Sequence, residues 1–292
     1  MSTISPPLET AEPRSLPSIR REVLRLEPSQ SGTVVRYAEL WEFREVLYFI
    51  IWRDIKIRYK QTVLGLAWAV LQPAATILIF SVVFGLWVQL PTDNAPYAVF
   101  ALAGLLPWNF FQSGLSQAAN SLVGNSNLLT KVYFPRVLLP LANVVTGLVD
   151  FSCALLVLFA LMAYYRVSPS ARLLLLPFPL LLAMVASLGV GLWLAALSVR
   201  FRDVRHAIPF LLQIWMYSTP IVYPASLVPE SLRTAYALNP MVSVVEWFRW
   251  SILGTDTLSA SMVLTSCITA AVLLVTGLRY FRMMERTFAD VI

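Results

Sequence analysis

Residues 61–92 read QTVLGLAWAVLQPAATILIFSVVFGLWVQLPT and contain no Asp, Glu, Lys or Arg. A helix needs about 20 mostly apolar residues to cross the hydrocarbon core of a bilayer, and this run is longer than that. Backbone N–H and C=O groups find no water in lipid, so an uncharged run of this length is expected to be helical. The stretch therefore predicts a membrane-spanning helix.

Five more runs of the same kind follow along the chain. They cover residues 94–130, 137–165, 173–199, 206–229 and 257–278, and Asp150 is the one carboxylate that interrupts them. We therefore predict an all-α integral membrane protein. Its six transmembrane helices are expected at about 62–90, 97–120, 138–165, 173–199, 207–223 and 258–279, within a transmembrane domain that covers residues 62–292.

The composition of the whole chain agrees with this class. Hydrophobic residues make up 58% and charged residues 13% of the chain, against about 45–50% and about 25% in soluble domains. The sequence has no phosphate-binding loop, no HExxH and no GxSxG motif, and its single His and two Cys have no metal-ligand spacing. We therefore expect no enzymatic activity and no nucleotide, cofactor or metal bound by this chain.

The distribution of Lys and Arg predicts the orientation in the membrane. With the N-terminus inside, 18 of the 22 basic residues fall on the inner side of the six predicted spans and four on the outer side. Such a bias is the positive-inside signal of multi-pass proteins. Both termini are therefore expected in the cytoplasm, and the net charge of +6 is better explained by topology than by nucleic-acid binding.

Two regions before the first span have different compositions. Residues 1–35 are rich in Pro, Ser and Arg, which predicts a flexible cytoplasmic tail. Residues 36–61 place apolar side chains at helical spacing and charges on another side, which predicts an amphipathic helix in the inner membrane interface. This helix is either a plain anchor or a receiver of motion from a cytoplasmic partner, and the pattern does not decide between them.

The region between the fifth and sixth predicted spans holds two short apolar stretches separated by Asn239 and Pro240. Both are too short to cross a membrane, so they are expected either to re-enter it from the outer face or to lie flat on that face. Glu246 and Arg249 are three residues apart and are positioned to pair on a helix.

Polar and aromatic residues inside the spans are candidates for a transport pathway. Asp150 is costly in the middle of a span, and no Lys or Arg lies within the spans as its partner, so it is either a structural polar contact or part of the pathway. Aromatic rings pack against sugar faces, although each ring is also compatible with helix packing or with the interfacial belt. The predicted channel residues are Gln213, Trp215, Tyr217, Tyr223 and Trp247.

Five segments, in this order, resemble the membrane subunit of ABC-2-type exporters of bacterial surface polysaccharides such as O-antigen, capsule or teichoic acid. They are RDIKIRYKQTVLG at residues 53–65, NLLTKVYFPR at 127–136, RFRDVRH at 200–206, TPIVY at 219–223 and LNP at 238–240. The resemblance covers about residues 37–290.

The resemblance implies a channel-forming half-transporter in the bacterial inner membrane. Two copies would pair, two separate ATPase subunits would bind ATP and Mg²⁺, and the cargo would be a lipid-linked glycan. It also implies that two cytoplasmic segments contact the ATPase, with the coupling residues Leu128, Lys131, Tyr133, Phe134, Arg136, Arg202, Asp203 and Arg205. The alternatives are a membrane-embedded enzyme acting on lipid-linked sugars and an exporter of small lipids or drugs.

Overall fold

The computed structural model describes residues 41–60, 67–89, 92 and 95–291, and these residues form helices and turns with no strand. The predicted tail (residues 1–35) and the ends of the predicted interface helix (residues 36–40 and 61) lie outside the described residues. The chain is thus an all-helical membrane protein over its described part.

Ten α-helices account for most of the described chain. They are α1 (Arg44–Tyr59), α2 (Ala67–Phe80), α3 (Tyr97–Gly124), α4 (Ser126–Lys131), α5 (Leu138–Tyr164), α6 (Pro177–Arg200), α7 (Asp203–Tyr217), α8 (Glu230–Tyr236), α9 (Pro240–Leu253) and α10 (Ala260–Val291). A π-helical stretch, Ser81–Trp87, continues α2, and short 3-10 turns precede α6 and α8.

Five helical segments in the described chain are long and apolar enough to cross a membrane. They are Val70–Trp87, Tyr97–Gly124, Leu138–Tyr164, Ala171–Arg200 and Ala260–Glu285.

The predicted fifth span corresponds to α7, which has 15 residues and is therefore only about 22 Å long. The apolar run continues beyond Tyr217, but the helix does not, because Pro220 disfavours the helical conformation at Thr219 and has no N–H to donate.

Helix α3 lies at the centre of the fold. Of its most apolar stretch, 83% is buried inside the chain, against 6% for the span formed by α2 and its π-helical continuation. Helices α5, α6 and α9 pack around α3, and small residues such as Gly104 and Gly114 let neighbouring groups approach closely. A Cβ on Gly114 would lie 2.9 Å from Ser187 Oγ of α6, which is the close packing expected of membrane helices.

A buried ion pair lies on α9, and its arginine links α9 to the residues that follow α7. Arg249 Nη1 donates to Glu246 Oε1 at 3.0 Å, which confirms the predicted pair. The guanidinium also donates to the carbonyls of Pro220 and Ile221 at 2.6 Å each and to that of Tyr223 at 3.2 Å. Arg249 thereby satisfies backbone acceptors that no longer belong to a helix, as buried carbonyls require.

Candidate functional site

A cavity of about 680 Å³ opens between five helices and contains many polar groups. Its size is within the range of small-molecule sites. We call it the polar cavity, and its lining comprises Arg58, Tyr59, Trp68, Gln72, Pro73, Leu106, Asn109, Phe110, Gln112, Ser113, Ser116, Gln117, Asp150, Phe151, Ala154, Pro209 and Leu212. These residues come from α1, α2, α3, α5 and α7.

One face of α3 supplies most of the polar lining. The side chains that recur at helical spacing along this face are those of Asn109, Gln112, Ser113, Ser116 and Gln117. Asn109 and Gln112 are exposed although most other residues of α3 are buried. An amide facing lipid is costly, so their position on the cavity wall explains how this span tolerates them.

A charged network closes one side of the polar cavity. Arg58 donates to Asp150 Oδ2 and, through its other terminal nitrogen, to Gln117 Oε1. The Tyr59 hydroxyl donates to Asp150 Oδ1. Burial, together with this hydrogen bond, raises the pKa of the Tyr59 phenol above its ordinary value, so Tyr59 stays protonated and acts as a donor.

The partner of Asp150 comes from outside the predicted spans. No cation was found for Asp150 within the spans, but α1 lies against α5 and delivers Arg58 from outside them. The pair is only partly exposed, at 24% for the Arg58 side chain and 35% for that of Asp150. The partly buried carboxylate is thus compensated, as an ionisable group between membrane helices requires.

None of the five predicted channel residues is among those that line the polar cavity. Gln213 and Tyr217 are exposed on α7. The Trp215 ring packs edge-to-face on Phe111, with 5.0 Å between centroids, and its Nε1 donates to Asn239 Oδ1 at 2.8 Å.

The other two predicted channel residues lie in the region that follows α7. The Tyr223 and Tyr236 hydroxyls share a hydrogen bond of 2.8 Å. Trp247 stacks on Phe178 with 6.3 Å between ring centroids. The Tyr223 hydroxyl also donates to the Tyr217 carbonyl at 3.4 Å, so the structure brings these two of the five residues into contact.

The predicted coupling segment divides into exposed and anchored residues. Lys131 and Tyr133 are exposed, and Leu128 is half-buried. Phe134, in contrast, is buried. Arg136 Nη1 donates to the Glu285 carbonyl of α10 at 2.8 Å, and its guanidinium lies 5.8 Å from the centre of the Phe288 ring.

The second predicted cytoplasmic contact is the beginning of α7. Arg202 and Asp203 are exposed there and Arg205 is half-buried. Another link reaches the coupling segment from α1, since Arg53 Nη2 donates to Asn125 Oδ1 at 2.8 Å. Asn125 immediately precedes α4, so α1 is bonded to the residue just before the helix that carries Leu128 and Lys131.

The polar cavity is the site that sequence reasoning missed, apart from Asp150, which was expected to be either a structural polar contact or part of the pathway. The usable signal was the recurrence of Asn, Gln and Ser at helical spacing between residues 109 and 117. The contribution of Arg58 had no such signal, because it is 92 residues from Asp150 in the sequence.

Comparison with known proteins gives a consistent result. The family described as ABC-2 type transporter matches residues 45–253. O-antigen export system permease protein RfbA of Myxococcus xanthus is 35% identical over 209 residues, which cover 71% of this chain and 80% of that protein. RfbA of Klebsiella pneumoniae is 28% identical over 249 residues, covering 85% and 95% of the two chains.

A polysialic acid transport protein is also similar. Polysialic acid transport protein KpsM of Escherichia coli is 27% identical over 207 residues, which cover 69% of this chain and 78% of that protein. The resemblance drawn from the sequence is confirmed at the level of the family. The chain belongs to the ABC-2 type transporter family, as a multi-pass membrane permease subunit and not as the ATPase.

Proposed function

We propose that this chain is the channel-forming subunit of an ATP-driven exporter that moves lipid-linked cell-surface polysaccharide across the bacterial inner membrane. The observation that carries the proposal is the similarity to RfbA over 85% of the chain, since that protein is described as an O-antigen export permease. The polar cavity supports it, because amides and aromatic rings are the groups that bind sugars.

The proposed topology has six crossings with both termini in the cytoplasm. Five crossings correspond to the long apolar segments, and α7 with residues 218–223 forms the sixth. The short helices α8 and α9 then lie on the outer side, where they re-enter the membrane and act as a gate. The distribution of Lys and Arg supports this orientation.

Energy reaches the membrane part from two ATPase subunits, each of which holds ATP and Mg²⁺ and contacts one of two copies of this chain. In this arrangement Lys131 and Tyr133 supply the exposed contact on the coupling segment, with Leu128 beneath them. Phe134 and Arg136 transmit the contact to α10 and the helices around it. Arg202, Asp203 and Arg205 form the second contact, at the start of α7.

The exported glycan passes between the two copies along α7 and the gate helices. The residues proposed to guide it there are Gln213, Trp215, Tyr217, Tyr223 and Trp247. Gln213 and Tyr217 support this path because they are exposed on α7 in the single chain, where a second copy can face them. Asp150 acts in the polar cavity that opens beside this path.

The proposal is tested by deleting the gene for this chain in its bacterium and measuring surface polysaccharide by gel electrophoresis and lectin staining. We expect loss of surface polysaccharide, accumulation of the lipid-linked precursor inside the cell, and recovery of both on complementation. Unchanged surface polysaccharide together with loss of export of a drug or a small lipid would contradict the proposal.

A further inference from the structure

The charge balance of the polar cavity indicates which kind of sugar it can bind. Among the described residues that line it, Arg58 and Asp150 are the two charged side chains, and they form an ion pair. Because the two charges cancel, the lining has no net charge, while a channel selective for anions needs an uncompensated cation.

Both terminal nitrogens of Arg58 already donate hydrogen bonds inside the chain. One terminal nitrogen donates to Asp150 and the other to Gln117. A carboxylate or phosphate that approached Arg58 would also lie close to the Asp150 carboxylate and would be repelled by it. The geometry therefore disfavours an anionic ligand at this site.

Neutral hydroxyl groups have no such conflict. Hydroxyls both donate and accept, and the cavity offers carboxylate and amide oxygens as acceptors and amide N–H groups as donors. Trp68, Phe110 and Phe151 add aromatic rings to the same wall, and flat apolar sugar faces pack against such rings. The combination fits an uncharged sugar unit better than a charged one.

We propose that the polar cavity binds uncharged sugar units of the exported glycan, and that the Arg58–Asp150 pair excludes acidic sugars from it. This rests on the proposed function and deepens it, because the relatives of this chain carry names from both an O-antigen system and a polysialic acid system. We therefore expect the exported glycan to contain neutral sugar units, which bind in the polar cavity.

The test compares two soluble probes, a neutral mannose tetrasaccharide and an acidic sialic acid tetramer. Binding to the full-length chain, purified with its ATPase partner in lipid nanodiscs, is measured by saturation-transfer difference NMR. We expect the neutral probe to bind at least about tenfold more tightly, the ratio that one hydrogen bond or charge contact is worth. Equal or tighter binding of the sialic acid tetramer, or no binding of either probe, would overturn the proposal.

Variants separate charge balance from a general loss of structure. Asp150→Asn keeps the shape but leaves Arg58 uncompensated, so the sialic acid tetramer should gain affinity relative to the neutral probe. The double variant Arg58→Gln with Asp150→Asn has no net charge again and should recover the neutral preference even if the single variant folds poorly. An unchanged ratio of the two affinities in both variants would contradict the role of the pair.

Two amide substitutions form a matched pair, one inside the polar cavity as the test and one outside it as the control. Gln72→Ala removes an exposed amide from the cavity wall and should weaken the neutral probe. Asn143→Ala removes an amide of α5 that bonds to the Leu139 carbonyl and does not line the cavity, so binding should be unchanged. Surface polysaccharide in the deletion strain is measured separately, so failed probe binding together with loss of polysaccharide in that strain refutes this inference alone.

Discussion

Two Glu–Arg pairs with the same spacing differ in burial and provide a test at single residues. Glu246 pairs with Arg249 where the two side chains are 2% and 0% exposed, and Thr257 also donates to Glu246 Oε2. Glu230 pairs with Arg233 at 3.7 Å, and the Glu230 side chain is 89% exposed. Breaking a buried pair costs about 3–5 kcal/mol, whereas exposed pairs contribute little.

We therefore expect Glu246→Gln to lower the melting temperature of the purified chain strongly and Glu230→Gln to leave it nearly unchanged. The reason is that the buried substitution leaves the charge of Arg249 uncompensated beside the ring of Phe100, whose centroid is 3.7 Å from Arg249 Cζ. Thermal unfolding in detergent, followed by size-exclusion chromatography with fluorescence detection, measures both variants. Equal shifts in the two would refute the structural role of the buried pair.

At the scale of helices, the contact between α6 and α10 depends on two glycines. A Cβ on Gly277 would lie 2.4 Å from the Gly189 carbonyl oxygen, and a Cβ on Gly189 would lie 2.7 Å from the Leu274 nitrogen. Next to them, Trp193 stacks on Tyr280 with 4.3 Å between centroids and donates to Thr276 Oγ1 at 3.2 Å. The two backbones can approach this closely only because neither glycine has a side chain.

Gly277→Leu should therefore separate α6 from α10 and reduce the amount of folded protein in the membrane. Gly124→Leu is the matched control, because a Cβ at Gly124 meets nothing within 4 Å. Quantitative immunoblotting of membranes and thermal unfolding in detergent measure the outcome. Normal yield and stability of Gly277→Leu would show that the helices can separate at this point without cost.

The coupling segment has exposed residues and residues anchored to the rest of the chain, and substitutions in the two groups should have different effects. Lys131→Glu should weaken co-purification of the ATPase and reduce export while leaving the melting temperature unchanged, because Lys131 is exposed. Arg136→Ala should instead lower the melting temperature, because Arg136 is bonded to α10. Arg166→Glu, which reverses an exposed charge in the connection between α5 and α6, should leave ATPase binding intact.

Helix bounds show which parts of the fold local sequence can predict. The third span was expected at residues 138–165 and is observed as Leu138–Tyr164, because the apolar run between Arg136 and Arg166 marks the lipid-embedded length. The fifth was expected to reach residue 223, yet α7 ends at Tyr217. Apolar composition indicates only that a segment is compatible with lipid. It does not show that Pro220 and the hydrogen bonds from Arg249 to backbone carbonyls favour a non-helical segment after Tyr217.

The site was less predictable than the fold for a physical reason. Asp150 was recognisable from the sequence as costly within a span, but the cavity that explains it is made by five helices together. The link between Arg58 and Asp150 arises from packing of α1 on α5, and no local spacing encodes it. Features that depend on long-range packing therefore needed the structure.

At the scale of the whole molecule, the number of crossings decides the orientation of everything after α7. If α7 and residues 218–223 cross, Ser226 lies outside and α10 ends inside. If α7 stays on the inner side, Ser226 lies inside and the end of α10 lies outside. The basic residues favour the first arrangement, since Arg279 and Arg282 near the end of α10 are then cytoplasmic.

Cysteine labelling distinguishes the two arrangements. In a chain with Cys153 and Cys267 replaced by Ala, a membrane-impermeant maleimide should label Ser226→Cys and Ser168→Cys in intact spheroplasts, since both positions are exposed. Gly124→Cys, at the end of α3, should react only after permeabilisation. Labelling of Ser168→Cys without Ser226→Cys would contradict six crossings, and it would also contradict the outer position proposed for α8 and α9.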